Sequence, residues 1–523
     1  MKVYPRFTLI LVTLLLLIFS FIGFVNPIVN HIFFIFLLTF IFLISLIKLE
    51  IAAYAILAEL AIGGQGYLFS LTIAGFPISL RIGLFGVAFV SLTYHLLRKR
   101  KFPKIATTKF AIPFLLLSFF IVVGMFRGLT QNDNLLNLFD ANAYVSILYV
   151  VIFAEAFYRK VTLTKAVTVL LSFSVALAIT TIGLLGLYAT SHYDTSLTSA
   201  IFITQDIREE LSNQNSWEQE IVRQRIGPDE RQFVYDSSVT TKTKPASYRW
   251  LRATGTAEIS YISGRFFRVF SPSHILLLFS LFLALSLSWK KQSTKIQIFT
   301  LCGIFLMLAS ILISYSRSLW LGVFLGMLIF VFAWFKQTVY RQRSLIYALL
   351  LLVIFGFLFF FTGIGDTILN RVTSIAHPST EVASTHRIEL GKALLTQISH
   401  HPLFGTGFGT LVSFPTVLPN GEIIKASFYI YEWAYLDVAV KIGLIGLCSF
   451  LIVFTYTSVL LIKKYIQTND QILFGFFSGF FACLVANVTT PIFTHPLGFG
   501  LLGFTIAYLL YTYESSNPAR YLE

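Results

Sequence analysis

The chain has 523 residues, of which 56% are hydrophobic and only 12% are charged, and its mean hydropathy is +0.79. This composition excludes a soluble globular protein with a polar surface and indicates a polytopic membrane protein. The formal net charge of +15 does not indicate nucleic-acid binding, because most basic residues of the short connections lie at one side of the predicted spans, where they match anionic lipid headgroups.

Apolar segments follow one another along the whole chain, and most have the roughly 17 to 25 residues that cross a ~30 Å hydrocarbon core as a helix. The predicted spans are residues 7–25, 32–47, 51–62, 77–97, 110–126, 142–157, 166–189, 272–289, 296–315, 319–335, 345–364, 438–462, 472–488 and 497–513. Segment 51–62 is short for a span. The sequence therefore predicts an all-α polytopic integral membrane protein with about fourteen transmembrane helices.

Clusters of Lys and Arg, such as residues 98–101 and 463–464, set the predicted orientation of the spans. They predict a protein of the inner (cytoplasmic) membrane with both termini in the cytoplasm. The N-terminal segment has a basic start but a long apolar run with no small-residue cleavage site after it, and is interpreted as the first span. Cys302, Cys448 and Cys483 lie within predicted spans, so no disulfide or thiolate metal site is expected.

Two long loops interrupt the spans on the predicted outer face, at residues 190–271 and 365–437. Each has nearly equal numbers of acidic and basic residues, so neither is a simple basic surface for a polyanion. The chain shows no fixed-period repeat and no long Gly/Ser-rich or Pro-rich linker. We therefore expect a single membrane domain, residues 1–523, with two outer loops.

The second loop contains the polar stretch "HRIELGKALLTQISHHPLFGTGFGT" in an otherwise apolar protein. Residues 388–399 have helix-forming composition, and the helix is expected to end where Pro402 pushes the preceding residue out of helical geometry. Gly405, Gly407 and Gly409 permit backbone conformations closed to other residues and a close approach of a ligand or a helix. They are equally compatible with a plain turn.

Three other groups could suggest chemistry, and the sequence argues against each. "GTGFGT" is weak as a nucleotide-binding loop, because no strand precedes it and its predicted face is away from the nucleotide pool. His400 and His401 are adjacent, so they lack the helical spacing that brings two metal ligands to one face. Glu59 and Arg81 flank a Gly-rich turn and are interpreted as a structural pair. No metal and no cofactor are expected.

Arginines lie at the predicted outer membrane edges: Arg265 and Arg268 precede one span, and Arg317 lies between two spans. A fully inserted arginine costs roughly 2.5 to 3.5 kcal/mol, and its planar guanidinium suits bidentate binding of phosphate. A single such residue can simply extend its side chain to lipid headgroups. Together with Arg387, the set favours a clamp for a diphosphate.

Three motifs follow one another along the chain: "SYSRSLWLG" between two spans, "HHPLFGTGFGT" in a large outer loop, and "AYLDVAVKIGLIGL" leading into the next span. In motifs and topology the chain resembles the O-antigen ligase/polymerase superfamily, most specifically over residues 296–461. The resemblance implies a GT-C-like fold and a metal-independent, inverting glycosyltransferase that takes a glycan from a polyprenyl diphosphate carrier on the outer face. The implied acceptor is a lipid A core sugar in ligases or another lipid-linked glycan in polymerases.

The resemblance also implies roles for the edge arginines. In the family, outer-face arginines hold the donor diphosphate, and the matching candidates here are Arg265 or Arg268, Arg317 and Arg387. Spacing does not decide between the first two. The implied partners are the lipid-linked donor, the acceptor glycan and membrane lipids, with no nucleic acid.

Ligases of the family carry a histidine, followed by Asn or a similar residue, ahead of a glycine pair. Here those positions hold Glu432 and Trp433, whereas the glycine pair is present as Gly443 and Gly446. Because the glycines fix the register, the departure is real. The loss of the ligase-type histidine tilts the interpretation toward a polymerase, although both readings stay open.

The reaction needs a group that takes the proton of the acceptor hydroxyl, and a carboxylate can replace imidazole in that role. Glu432 is the first candidate, with His401, which titrates near neutrality, and Asp437 as reserves. Glu432 can equally be a solvated residue at the start of a helix. Tyr435 could stack on a sugar or belong to the interfacial aromatic belt of membrane proteins.

A transporter of lipid-linked glycans is the alternative from another functional class. Transporters usually place charges near the bilayer midplane and often have paired halves or broken helices. This chain concentrates its charges at the outer edge and shows no evident halves. The sequence therefore favours a transferase over a transporter.

Overall fold

The computed structural model describes residues 3–73, 76–190, 246–263, 266–289, 293–336, 382–417 and 423–515. Arg265, the predicted span 345–364 and large parts of both long loops lie outside the described residues. Within the described residues, long helices dominate and strands are confined to three short hairpins.

The helices follow one another in chain order, and two pairs of them are joined through a short 3₁₀ turn. The first eight are α1 Val3–Val25, α2 Pro27–Ser45, α3 Glu50–Ile62, α4 Leu80–Lys99, α5 Ala111–Gln131, α6 Asn134–Val145, α7 Tyr149–Ala156 and α8 Lys160–Thr190. The next eight are α9 Ala246–Thr254, α10 His274–Ser288, α11 Thr294–Ile313, α12 Arg317–Lys336, α13 Val382–His400, α14 Ala434–Thr468, α15 Gln471–Ala486 and α16 Pro496–Ser515.

These helices confirm a multi-pass membrane protein. In the described part of the chain, nine helical segments are long and apolar enough to cross a membrane, and three shorter apolar helices accompany them. Helices are expected here because a hydrocarbon core offers no partner for unpaired backbone groups. The short predicted span 51–62 forms α3, which has 13 residues and is largely buried. The predicted total of about fourteen spans stays a prediction.

Three antiparallel hairpins lie in the connections between helices, where no strand was predicted. They are β1 Ser70–Ile73 with β2 Phe76–Ser79, β3 Glu258–Ser263 with β4 Phe266–Phe270, and β5 Val412–Val417 with β6 Ile423–Phe428. Each hairpin precedes a helix of the bundle: α4, α10 and α14 respectively. Residues of all three connections border one cavity, so we call this end of the bundle the hairpin end.

Helix α10 is the centre of the bundle. All of its 15 residues are buried, as expected for a helix that is hydrophobic all round. It packs against α15, where a side chain at Gly479 would come within 2.9 Å of Phe279. Small residues at such crossings let helix backbones approach closely.

Candidate active site

A cavity of about 920 Å³ opens among the elements of the hairpin end. Its wall combines residues from the β1–β2 connection, α4, α6 and α7, the end of β4, and the segment 490–497. Tyr429 and Ile430, which follow β6, and residues of α9, α10 and α12 also line the cavity. The cavity therefore collects side chains from both the N-terminal and the C-terminal halves of the chain.

Arg81, at the start of α4, is part of the cavity wall and forms a buried ion pair with Glu59 of α3. Its Nε donates to Glu59 Oε2 at 2.9 Å, and its Nη2 donates to Glu59 Oε1 at 3.0 Å and to the Gly64 carbonyl at 2.7 Å. The two side chains are only 6% and 2% exposed. The predicted pairing of Glu59 with Arg81 is confirmed, and its geometry is bidentate.

Arg268 is hydrogen-bonded to the turn that precedes Arg317. The Arg268 Nε donates to the Ser314 carbonyl at 3.1 Å, and Ser314 lies in the short turn that leads to Arg317, the first residue of α12. The Arg268 guanidinium lies 4.9 Å from the centre of the Phe270 ring, and Phe270 lines the cavity. Of the two alternatives left by the sequence, Arg268 is the one that the structure describes.

Arg387 and Glu432 form an ion pair that is partly exposed to solvent. The Arg387 Nε donates to Glu432 Oε2, and the two side chains are 38% and 48% exposed. The indole Nε1 of Trp433 donates to the Arg387 carbonyl at 2.9 Å, which fixes α13 against the start of α14. Because Ile430 lines the cavity, Glu432 lies two residues beyond the cavity wall.

The glycine motif of the second loop packs against a break in α14. Gly443 has φ 76° and ψ 176°, which interrupts the helix. The Thr406 and Gly407 amides donate to the carbonyls of Val440 and Lys441 at 2.8 and 3.0 Å, and the amide of Leu444 donates to the Pro402 carbonyl at 2.8 Å. The loop thus satisfies the backbone groups that the break leaves unpaired.

Gly405, Gly407 and Gly409 have φ values of 69°, 87° and 75°, so the prediction of unusual backbone conformations is confirmed. A Cβ at Gly407 would lie 2.2 Å from the Gly128 amide nitrogen of α5. The motif therefore brings the loop backbone against neighbouring helices.

Comparison with known families gives a match in this part of the chain. The family model described as O-antigen ligase matches residues 302–451. Because of this similarity, we refer to residues 302–451 as the O-antigen ligase domain. The match confirms the predicted relation to the O-antigen ligase/polymerase superfamily and supports a membrane enzyme that transfers glycans, as a ligase or a polymerase, with lipid-linked glycans as substrates. Among curated proteins, none matches this chain.

The O-antigen ligase domain contributes two members of a buried charge cluster, Asp437 and Lys441, and α6 contributes the third, Asp140. Lys441 Nζ lies 2.7 Å from Asp140 Oδ1 and 2.6 Å from Asp437 Oδ1. Asp437 Oδ2 accepts from the Tyr144 hydroxyl at 2.9 Å, and Asp140 Oδ2 accepts from the Gly409 amide at 2.9 Å. Asp437, a predicted reserve base, is therefore engaged at both oxygens.

Sequence reasoning missed Asp140 and Lys441, although a signal was available. Lys441 lies inside the predicted span 438–462, and Asp140 lies two residues before the predicted span 142–157. Charged residues within apolar spans are rare and usually paired or functional. The cluster links α6, the glycine loop and α14 of the O-antigen ligase domain, because Gly409 donates to one of its carboxylates. Its contacts are those of a structural joint between these elements.

His386 is a further residue of the O-antigen ligase domain that sequence reasoning gave no role. Its ring packs edge-on against Phe414 and Phe428, with centroids 4.8 and 5.9 Å apart. Burial lowers the pKa of His386, and the nearby Glu432 carboxylate acts in the opposite direction. Its position directly before Arg387 was the only sequence signal.

His401 and Tyr435 have their described contacts with other parts of the structure. His401 is exposed and borders a separate depression of about 430 Å³, together with Gln131 and Asp133. The Tyr435 hydroxyl donates to the Leu484 carbonyl at 3.2 Å, on the side of α15. Neither residue belongs to the cavity wall formed by the described residues, and those residues contain no cluster of His, Cys, Asp and Glu suited to a metal ion.

Proposed function

We propose that this protein is a metal-independent, inverting glycosyltransferase that moves a glycan from a polyprenyl diphosphate carrier to a glycan or lipid-linked acceptor at the outer face of the inner (cytoplasmic) membrane. One observation carries the proposal. The Arg268 guanidinium donates to the turn that leads to Arg317 at the start of α12, and Phe270 and Leu319, each two residues from one of these arginines, line the large cavity.

The arginines supply the stabilisation of negative charge that the reaction needs most. When the bond between the anomeric carbon and the diphosphate breaks, negative charge accumulates on the departing diphosphate. Guanidinium groups fixed beside that position stabilise this charge and bind phosphate oxygens bidentately. In the proposal, Arg268 and Arg317 hold the diphosphate, and Arg387, which is paired with Glu432, is the third substrate-binding arginine.

Glu432 is the proposed general base. The acceptor hydroxyl oxygen forms a bond to the anomeric carbon from the face opposite the diphosphate, and its proton passes to the Glu432 carboxylate. Of the three predicted candidates, Glu432 lies nearest in sequence to the cavity wall, through Ile430. His401 borders the separate depression, and both oxygens of Asp437 are engaged, so we assign them no role in proton transfer.

The proposed acceptor class is a second lipid-linked glycan, which makes the protein a polymerase. The support for this choice is Glu432, which occupies the position where ligases of the family carry a histidine. A ligase would join the glycan to a lipid A core sugar instead. The two acceptors, supplied separately to the same preparation, distinguish these activities.

The proposal is tested in liposomes that contain the full chain and an undecaprenyl diphosphate-linked glycan. We expect free undecaprenyl diphosphate to form only when a suitable acceptor is present. Movement of the glycan across the bilayer without release of the carrier would contradict the transferase and support a transporter.

Two substitutions separate donor binding from transfer. Arg317→Ala should weaken donor binding, because a guanidinium beside the diphosphate is lost, whereas Glu432→Gln should keep donor binding and slow transfer by roughly a hundredfold, the usual lower range for a general base. Arg159→Ala is the matched control, because Arg159 is an exposed arginine that stacks on Tyr158 before α8. Full transfer activity of Glu432→Gln would exclude Glu432 as the base.

A further inference from the structure

The part of the cavity around Arg81 carries no net charge. The Arg81 guanidinium is neutralised by the bidentate Glu59 carboxylate. His495 also lines the cavity, and burial, reinforced by the Arg81 charge, lowers its pKa to about 3. At neutral pH both the ion pair and this histidine are therefore electrically neutral as units, which suits an uncharged polar ligand better than a diphosphate.

The lining around Arg81 combines flat aromatic rings with neutral hydrogen-bonding groups. Tyr67 and Tyr149 supply rings, and Gln65, Asn142 and Ser146 supply amide and hydroxyl groups. A sugar ring presents an apolar face of C–H groups and a polar edge of hydroxyls. Aromatic side chains pack against the first and amide or hydroxyl groups bind the second, so this lining fits a sugar.

Arg81 also has hydrogen-bonding capacity to spare. Its Nε and Nη2 are held by Glu59 and Gly64, whereas its Nη1 is buried and has no hydrogen-bond partner among the described residues. An unsatisfied buried donor is unfavourable, particularly on a charged group. A ligand oxygen next to Nη1 would remove this penalty while leaving the ion pair intact.

We propose that the Arg81–Glu59 pair forms a sugar subsite, in which the sugar ring directly attached to the donor diphosphate binds in the cavity and an oxygen of that ring's substituents accepts from Arg81. This inference rests on the proposed function, since it takes Arg268 and Arg317 as the diphosphate side of the same donor. Arg81 is then a specificity-determining residue for the sugar.

The test compares two ligands on the full chain in nanodiscs: undecaprenyl diphosphate, and undecaprenyl diphosphate bearing one N-acetylglucosamine. The wild-type protein should bind the sugar-bearing carrier more tightly than the bare carrier. Arg81→Lys keeps a cation beside Glu59 but removes the planar second nitrogen. We expect this variant to lose about tenfold in affinity for the sugar-bearing carrier, which corresponds to about 1.4 kcal/mol, with the affinity for the bare carrier unchanged.

A second variant tests whether the effect of Arg81→Lys is caused by a folding defect. Glu59→Gln combined with Arg81→Gln removes both charges and keeps hydrogen-bonding side chains, so no buried charge is left alone. It should show the same selective loss, whereas Arg159→Lys should change the affinity for neither carrier. The ratio of the two affinities is measured on the same preparation, so a partly unfolded sample does not imitate the result.

The outcomes separate this inference from the proposed function. If Arg317→Ala weakens binding of both carriers while the Arg81 variants change neither, or weaken both equally, the sugar subsite is excluded and the transferase stands. Equal wild-type affinity for the two carriers also overturns the subsite. If the wild-type protein binds neither carrier, the lipid diphosphate donor itself is excluded, and the subsite falls with it.

Discussion

Two groups of opposite charges involve residues near the start of α14, and they differ in their exposure to solvent. The Asp140–Asp437–Lys441 cluster is buried, with side chains 2% to 4% exposed. The Arg387–Glu432 pair is 38% and 48% exposed. Only five positions along the chain separate Glu432 from Asp437.

The difference in exposure indicates which charges stabilise the fold and which are accessible to a substrate. A buried charge that loses its partner is strongly destabilising, whereas an exposed ion pair contributes about 0 to 1 kcal/mol. The cluster also binds the glycine loop through Gly409. In the exposed pair, Glu432 lies two residues along the chain from Ile430, which lines the cavity. Burial, rather than residue type, separates the structural carboxylate from the candidate base.

The largest expected effect is the loss of Lys441. Lys441→Met leaves two buried carboxylates without their cation, and the protein should lose about 3 to 5 kcal/mol of unfolding free energy. The measurement is the fraction of monodisperse protein after heating in detergent, by size-exclusion chromatography. The triple variant with Asp140→Asn and Asp437→Asn should regain much of the loss. Wild-type stability of Lys441→Met alone would mean that the cluster is not a structural joint.

A smaller loss is expected at the glycine loop that the cluster holds. Gly407→Ala places a Cβ 2.2 Å from the Gly128 amide nitrogen at a φ of 87°, and the strain of such a conformation alone costs of order 1 to 3 kcal/mol. Gly86→Ala is the control, since a Cβ there meets nothing within 4 Å. The same heating assay should separate the two variants, and equal stability would show that the loop relaxes freely.

The exposed pair should show the opposite pattern, with a change in activity and little change in stability. Glu432→Gln removes an ion pair in contact with solvent, so the unfolding free energy should change by no more than about 1 kcal/mol, although transfer slows. Thermal unfolding beside the transfer assay checks both parts. A loss of stability as large as that of Lys441→Met would assign Glu432 to the structural class.

The smallest expected effect is a pH dependence at His386, which faces Glu432 and Arg387. Because its pKa is lowered in the folded state, the unfolded state binds the proton first as the pH falls. Stability is therefore complete above the ordinary histidine pKa of about 6.5 and decreases below it. Protection factors of amides in β5 and β6 between about pH 7.5 and 5.5 measure this. His386→Gln should flatten the profile, and an unchanged slope would contradict it.

Much of the helical framework could be predicted, because apolar segment length follows directly from bilayer thickness. Predicted span 296–315 corresponds to Thr294–Ile313. The prediction failed in detail at 142–157, where the helical segment begins earlier, at Asn134, and passes through a 3₁₀ turn at Ser146–Leu148. Hydropathy is averaged over a window of residues, so it does not detect such a short turn. The hairpins were missed because strands of four to six residues leave little periodicity to detect.

The candidate site could also be predicted only in part. Reasoning over short sequence distances identified the Glu59–Arg81 pair across the connection between α3 and α4, and the arginines at the predicted membrane edge. The contact between Asp140 and Lys441 joins positions 301 residues apart, and a single sequence carries no information on which distant charges meet. The cavity could not be predicted for the same reason, because its wall is assembled from distant segments between residues 65 and 497.

The broken helix at Gly443 also sets a rule for exchanging parts between related proteins. The backbone of residues 402–407 pairs with residues 440–445, so each segment completes the hydrogen bonding of the other. A chimera that takes the loop from one parent and the helix from another would combine two halves of one backbone ladder. An exchange of this region between related proteins should therefore transfer residues 402–445 as a single cassette.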